Sequence, residues 1–286
     1  MGPVARAAVL VLVACLFFAG MNVLAKAVGL AGGADLHPLQ ITFFRYLFGT
    51  LTLLPVLAWR GPAVLRTTVG WRHLQRLAFG IGGLTTLFAA IGLMPLAEAT
   101  AIGWSAPLFA VLLAALFLGE KVDRARWVAA GVGFLGVIVL ARPTPAAFQP
   151  AALIAVASAV LTAAEVTTMR RLATIDPPLT TTAIVNIGGT VAAGLLALPF
   201  LAWPSPAQWP LLAGIGVLAA GGQLIFIRAL AMAEASAVVP FYYATLVYAG
   251  LAGVFIFGEP ASLPLLAGGA LIVGAGIYLA VASRGR

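Results

Sequence analysis

Charge is what this sequence has least of: only 8% of its 286 residues are Asp, Glu, Lys or Arg. A water-soluble domain clothes itself with about a quarter charged residues, so water is excluded as the main solvent. Cysteine is nearly absent, with Cys15 alone. That removes a disulfide framework and a cysteine-rich metal site, and leaves Cys15, inside an apolar run, as a small buried hydrophobe. Histidine is as scarce, and His37 and His73 fall near opposite ends of the spans assigned below, too far apart to share a metal. No HExxH, GxSxG or Walker pattern occurs. A membrane enzyme would therefore lack any visible catalytic constellation, and no cofactor or metal is expected.

What the sequence has is hydrocarbon: 63% of residues are hydrophobic and the mean hydropathy is +1.11. The apolar runs are about 17–25 residues long, enough to cross a layer about 30 Å thick at about 1.5 Å per residue. They predict an all-α integral membrane protein with ten spans, at 7–29, 38–58, 73–93, 97–118, 126–142, 150–170, 179–202, 208–231, 235–257 and 263–282. Continuous helices are required because an unpaired amide in lipid costs several kcal/mol. A β-barrel needs short alternating strands with a polar lumen face, and these runs are apolar on every side. The first run is read as an uncleaved span.

The basic residues orient the spans. With a cytoplasmic N-terminus, the inner side receives Arg6, Arg60, Arg66, Arg72, Arg76, Lys121, Arg124, Arg126, Arg170, Arg171, Arg228, Arg284 and Arg286. The outer ends receive Lys26 and Arg142, and Arg45 lies within a span. By the positive-inside rule both termini are cytoplasmic, and the excess of basic residues reads as topology rather than as nucleic-acid binding.

A repeat divides the chain. Ala97-Glu98-Ala99-Thr100 matches Ala233-Glu234-Ala235-Ser236, and Leu118-Gly119-Glu120 matches Phe257-Gly258-Glu259, at offsets of 136–139 residues. Two five-helix units are expected, 1–145 and 146–286. Five is odd, so the second unit enters the membrane in the opposite sense, and the 59–76 linker carries four arginines where its counterpart at 203–209 carries none. Inverted repeats place similar bundles around a pseudo-two-fold axis in the membrane plane, the arrangement from which alternating access arises.

These motifs, with Pro38-Leu39-Gln40-Ile41-Thr42-Phe43-Phe44-Arg45, Pro95-Leu96 ahead of the Ala97 stretch, and Ser105-Ala106-Pro107, resemble the drug/metabolite transporter superfamily in its ten-span EamA branch. The resemblance covers nearly the whole chain. It implies a bacterial inner-membrane secondary transporter working without ATP, with a cavity between the halves and spans five and ten away from it. Export of neutral or aromatic amino acids, as in YddG-like members, is the first expectation; uptake of riboflavin or S-adenosylmethionine is the alternative. Small-molecule substrate and bilayer are the expected partners, with no nucleic acid and no obligatory protein partner.

Several residues are candidates for cavity or gate. Arg45, about 10 Å into its span, must face a cavity or an interior partner, and would either meet a substrate anion or lock helices. Asn22 and Lys26, four apart, share a helix face. Glu165 is read either as a proton-coupling carboxyl or as a structural partner of Arg170 or Arg171. Glu98 and Glu234 suit helix N-termini, and Glu120 and Glu259 suit boundary turns. Trp104, Ser105 and Pro107 in span four face Pro240, Tyr242 and Tyr243 in span nine under the repeat relation; the prolines break the helices, and the aromatics, with Tyr248, would clamp an organic substrate. Asn186 and Gln223 add donors and acceptors. Gly131, Gly133 and Gly136, with Gly268, Gly269, Gly274 and Gly276, suit close helix packing.

Overall fold

With no water to satisfy N–H and C=O groups, each apolar run closes its own hydrogen bonds as a helix. The computed structural model describes residues 2–33, 36–93, 99, 102–141, 151–258 and 263–282. Its helices are α1 (Pro3–Leu30), α2 (Pro38–Arg60), α3 (Gly70–Leu93), α4 (Ala106–Leu118), α5 (Arg124–Ala141), α6 (Ala151–Ala173), α7 (Pro178–Ala197), α8 (Gln208–Met232), α9 (Ala244–Phe257) and α10 (Leu263–Ala282). Pro3, Pro38 and Pro178 open their helices, where the missing N–H costs nothing. Among the described residues seven spans are long and apolar enough to cross a membrane.

Two expected spans are not continuous helices. The run at 97–118 yields α4 only from Ala106, after a turn in which Ser105 bonds Ile102 through both its amide and its hydroxyl, at 2.9 and 2.6 Å. Thirteen residues reach about 20 Å, short of the hydrocarbon thickness. The run at 235–257 begins with one turn, Ala235–Val238, then a tighter 3-10 segment, Val239–Tyr243, before α9. Pro107 and Pro240 sit at these breaks, removing an N–H and forbidding a continuous ladder. Cys15, wholly buried, places its sulfur 3.8 and 3.7 Å from the carbonyl oxygens of Phe241 and Tyr242.

The packing repeats by five helices. α1 packs on α8 as α3 packs on α6; α4 meets α6 as α9 meets α1; α5 pairs with α10, and α2 with α7. The last pair crosses on the pseudo-two-fold axis. The hydroxyls of Thr50 and Thr190 lie 3.1 Å apart, and around them Gly49 faces Asn186 while Gly189 faces the Tyr46 ring. Each contact is its mate displaced by 140 residues: 49 and 186 become 189 and 46. Two inverted five-helix repeats are thus built into the packing.

The glycines divide. A Cβ on Gly136 would lie 2.7 Å from the Gly268 carbonyl oxygen, and one on Gly133 2.6 Å from the Tyr243 ring. Gly268 and Gly269 are buried in α10, whereas Gly131 and Gly274, expected to pack, face open space. Gly119 and Gly258 both end their helices at φ near +68° and +67°, the left-handed turn that glycine takes without a Cβ penalty.

Candidate substrate cavity

The break before α4 and the 3-10 segment before α9 face each other, and a cavity of about 210 Å³ lies between them. Trp104, Pro107 and Ala110 form one wall, Tyr242 and Val239 another, and Phe226 of α8 and Leu87 of α3 close the sides. Trp104 and Tyr242 stack with centroids 5.6 Å apart at 29°, and Phe226 lies 5.5 Å from the same tyrosine. Phe18 of α1 completes the box edge-on at 5.8 Å. The polar side comes from α6: Ser158, Thr162 and Val166 follow one face at helical spacing. Ser158 donates to the Gly83 carbonyl at 2.7 Å, and Gly83 lets α6 approach close enough for that bond. The volume is below the roughly 300–1,000 Å³ of ordinary small-molecule sites.

Next to this wall a second polar group is buried. Arg76 of α3, fully enclosed, lies 3.6 Å from Glu165 of α6 and donates to the Thr181 carbonyl at 3.2 Å. Arg45 of α2 lies over the Tyr46 ring at 4.8 Å, with its Nε buried and unbonded.

The expected site residues separate accordingly. Trp104, Pro107 and Tyr242 line the cavity. Ser105 turns its hydroxyl back to its own turn. Tyr243, adjacent to Tyr242, points the other way into Gly133 and packs with Val137 and Ile272. Pro240 and Tyr248 line a separate apolar cleft beside α10. Asn186 and Gln223 bond each other at 3.1 Å, both buried, tying α7 to α8. Asn22 and Lys26 are exposed on α1, the Lys26 ammonium 4.3 Å from the Phe257 ring centroid. Glu165 pairs with Arg76, not with Arg170 or Arg171.

Those two arginines belong to a tie at the arginine-rich end. Glu120 accepts from the Ala235 and Ser236 amides at 2.8 and 2.9 Å and from the Ser236 hydroxyl at 2.6 Å, with Arg170 at 3.7 Å. The capping expected of Glu234 is therefore made across the halves by Glu120, and Glu234 pairs with Arg126. Arg126 also bonds the Ser236 hydroxyl at 2.7 Å, and Arg171 bonds the Phe117 carbonyl. Nearby, Asp176 accepts from Thr67 and bonds His73, each at 2.7 Å. At the opposite end the described ties use uncharged groups: Gln40 bonds both the amide and carbonyl of Ala202, and Ser205 bonds the Gly32 carbonyl. Glu98 and Glu259 lie outside the described residues.

Sequence reasoning missed Arg76, Ser158, Thr162 and Phe226. The i, i+4 pair Ser158 and Thr162, followed by Glu165, was a visible polar stripe on an otherwise apolar helix.

Comparison with known proteins accords with this architecture. A riboflavin transporter of Rhizobium johnstonii is 35% identical over 238 residues, covering 83% of this chain and 79% of that protein. An S-adenosylmethionine uptake transporter of Rickettsia felis is 29% identical over 252 residues, covering 86% and 84%. A crystal structure 23% identical in sequence superposes with a TM-score of 0.82 over 97% of both chains, which shows a shared fold. The pattern of the EamA-like transporter family matches twice, over residues 5–142 and 149–282. The chain belongs to the EamA-like transporter family, as a multi-pass membrane carrier of small metabolites rather than an enzyme.

Proposed function

We propose that this chain imports a planar nitrogen-heterocyclic metabolite of the riboflavin or S-adenosylmethionine kind, holding its ring against Trp104 and Tyr242. The carrying observation is the aromatic box around Tyr242. Isoalloxazine and adenine are flat, and rings of this kind stack on aromatic side chains with about 1–3 kcal/mol each. Amino-acid export, the first expectation from the resemblance, gives way because the relatives above are named for riboflavin and S-adenosylmethionine.

On this reading the units 1–145 and 146–286 rock about the Thr50–Thr190 crossing, with the arginine-rich end and both termini cytoplasmic. Opening at one end admits substrate to a cavity too small to hold it closed, and the tie at the other end re-forms as the halves swing. The purified chain in liposomes should show saturable counterflow of riboflavin or S-adenosylmethionine. Counterflow of phenylalanine or tryptophan, with neither heterocycle moving, would restore the amino-acid reading.

A further inference from the structure

We infer that the cavity beside Trp104 is built for a ring that carries no charge, and that the Thr162 hydroxyl meets the polar edge of that ring. The inference rests on the proposed function and narrows it. The solute is an uncharged heterocycle of the riboflavin kind, and S-adenosylmethionine, with its sulfonium and zwitterionic tail, is discriminated against.

Among the described residues that line the cavity none is charged. The ionic groups of the neighbouring helices are spent elsewhere. Glu165, on α6 between Thr162 and Val166, turns into the α3–α6 seam, where a Cβ on Gly80 would lie 3.1 Å from its carboxyl and Arg76 lies 3.6 Å away. A charged hollow lies instead at the arginine-rich end, lined by Glu120, Arg170, Arg171 and Glu234. An ion taken from water into an apolar cavity without a partner costs far more than one hydrogen bond returns. In S-adenosylmethionine the sulfonium stands one ribose away from the adenine, so a ring held on Trp104 would carry that charge into the span, where it is costly. Isoalloxazine brings none.

The polar group that α6 offers to the cavity is uncommitted. Elsewhere in these helices threonine folds its hydroxyl onto the carbonyl four residues before it, as Thr86, Thr167, Thr168 and Thr182 do at 2.7–2.8 Å. Thr162 lines the cavity, and its hydroxyl bonds nothing among the described residues, although the Ser158 carbonyl stands one turn before it. Gly83 keeps the place open, since a Cβ there would lie 2.9 Å from the Thr162 Oγ1. Ser158, by contrast, is already committed to the Gly83 carbonyl at 2.7 Å. A hydroxyl both donates and accepts, so Thr162 can answer a ring carbonyl, a ring nitrogen or a ring N–H without a charge on either side.

The repeat supplies a comparison within the molecule. α6 is the counterpart of α1 and α3 that of α8, so Ser158 corresponds to Phe18 at an offset of 140 and Gly83 to Gly222 at 139. Both pairs are in contact: Ser158 bonds the Gly83 carbonyl, and a Cβ on Gly222 would lie 3.0 Å from the Phe18 ring. The same packing position thus carries a ring of the aromatic box in the first half and a hydroxyl in the second. Helix docking is served by either, so the difference answers to the cavity. Rings from one repeat and hydroxyls from the other are the two surfaces that the face and the edge of a flat, uncharged heterocycle require.

The test titrates the purified full-length chain, by calorimetry, with riboflavin, S-adenosylmethionine and 5′-methylthioadenosine, which keeps the adenine, ribose and sulfur of S-adenosylmethionine and none of its charge. Riboflavin should bind about tenfold or more tighter than S-adenosylmethionine, and methylthioadenosine should also bind more tightly than the charged compound. S-adenosylmethionine binding as tightly as either neutral ligand would overturn the inference and leave the heterocycle reading in place. Binding of none of the three would remove the heterocycle reading, and this inference with it. Thr162→Val, which keeps the branched shape, should weaken riboflavin binding about 3- to 10-fold, the worth of one neutral hydrogen bond. Its melting temperature should match the wild type, because the hydroxyl has no described partner to lose, and Thr162→Ser should restore the affinity. An affinity unchanged in Thr162→Val, or one lost only together with the melting temperature, would overturn the edge contact.

Discussion

Replacing Gly136 by alanine should destabilise the protein, whereas the same change at Gly131, five residues earlier on α5, should not. A Cβ at 136 would sit 2.7 Å from the Gly268 carbonyl oxygen, 2.8 Å from Ile272 Cγ1 and 3.2 Å from the Ile272 amide. Ordinary carbon contacts need about 3.3–4.0 Å, so α5 and α10 must separate by roughly half to one ångström. Two of the three obstructing atoms are backbone and cannot rotate aside. Overpacking of this kind costs about 1–3 kcal/mol. Alanine returns up to about 1 kcal/mol of helix propensity in water, and less here, because a span remains helical in lipid even when the bundle is undone. Gly131 has nothing within 4 Å of its would-be Cβ, so only the small propensity gain remains. Thermal unfolding in a fixed detergent should show Gly136→Ala melting roughly 3–9 °C below the wild type, at about 2–4 °C per kcal/mol, and Gly131→Ala within a degree or two of it. Equal melting temperatures for the two variants would refute the pairing of the fifth helices of the two repeats.

Trp104→Ala should raise the half-saturation concentration for flux roughly 5- to 150-fold, the equivalent of about 1–3 kcal/mol of lost stacking, while Tyr243→Phe, on the far side of the same segment, should leave it unchanged. Glu120→Ala strands the Ala235 and Ser236 amides and the neighbouring arginines; a loss of about 2–4 kcal/mol is expected, visible in thermal unfolding, with Glu120→Gln recovering part of it. Asp176→Asn weakens the bonds from His73 and Thr67 and should cost about 1–2 kcal/mol in the same assay, without changing substrate selectivity.

Much of the architecture is legible because lipid leaves the chain few options. Apolar runs of spanning length must be helical, and the Ala-Glu-Ala and Gly-Glu echoes reveal the duplication. The axis itself is harder to see. Pro38-Leu39, Thr42 and Gly49-Thr50 recur as Pro178-Leu179, Thr182 and Gly189-Thr190 at an offset of 140, but the residues between them differ because each glycine receives a different bulky partner, Asn186 or Tyr46. The relation is kept in shape rather than in identity.

The site was legible by region and not by side chain. Span nine was recognised as broken, yet Tyr242 and Tyr243 were both assigned to the cavity, although neighbours on a helical turn point roughly a third of a circle apart. Arg76 was hidden by its company. Counted with Arg60, Arg66 and Arg72 it looks like a topology signal, and only its place six residues inside α3, with Glu165 opposite, shows that it is enclosed. Glu120 gave no sign of its role because its partners lie 115 and 116 residues away.

The central claim is that a flat heterocycle stacks on Trp104 and Tyr242. Flavin fluorescence is quenched when the ring stacks on indole or phenol, so riboflavin titrated with purified protein, alone and in competition with S-adenosylmethionine, tests it directly. Saturable quenching, displaced by S-adenosylmethionine or not according to which is the better ligand, and abolished in Trp104→Ala/Tyr242→Ala but kept in Tyr243→Phe, is the predicted result. Quenching that persists in the double variant, or its absence in folded wild-type protein that S-adenosylmethionine also fails to bind, would contradict it.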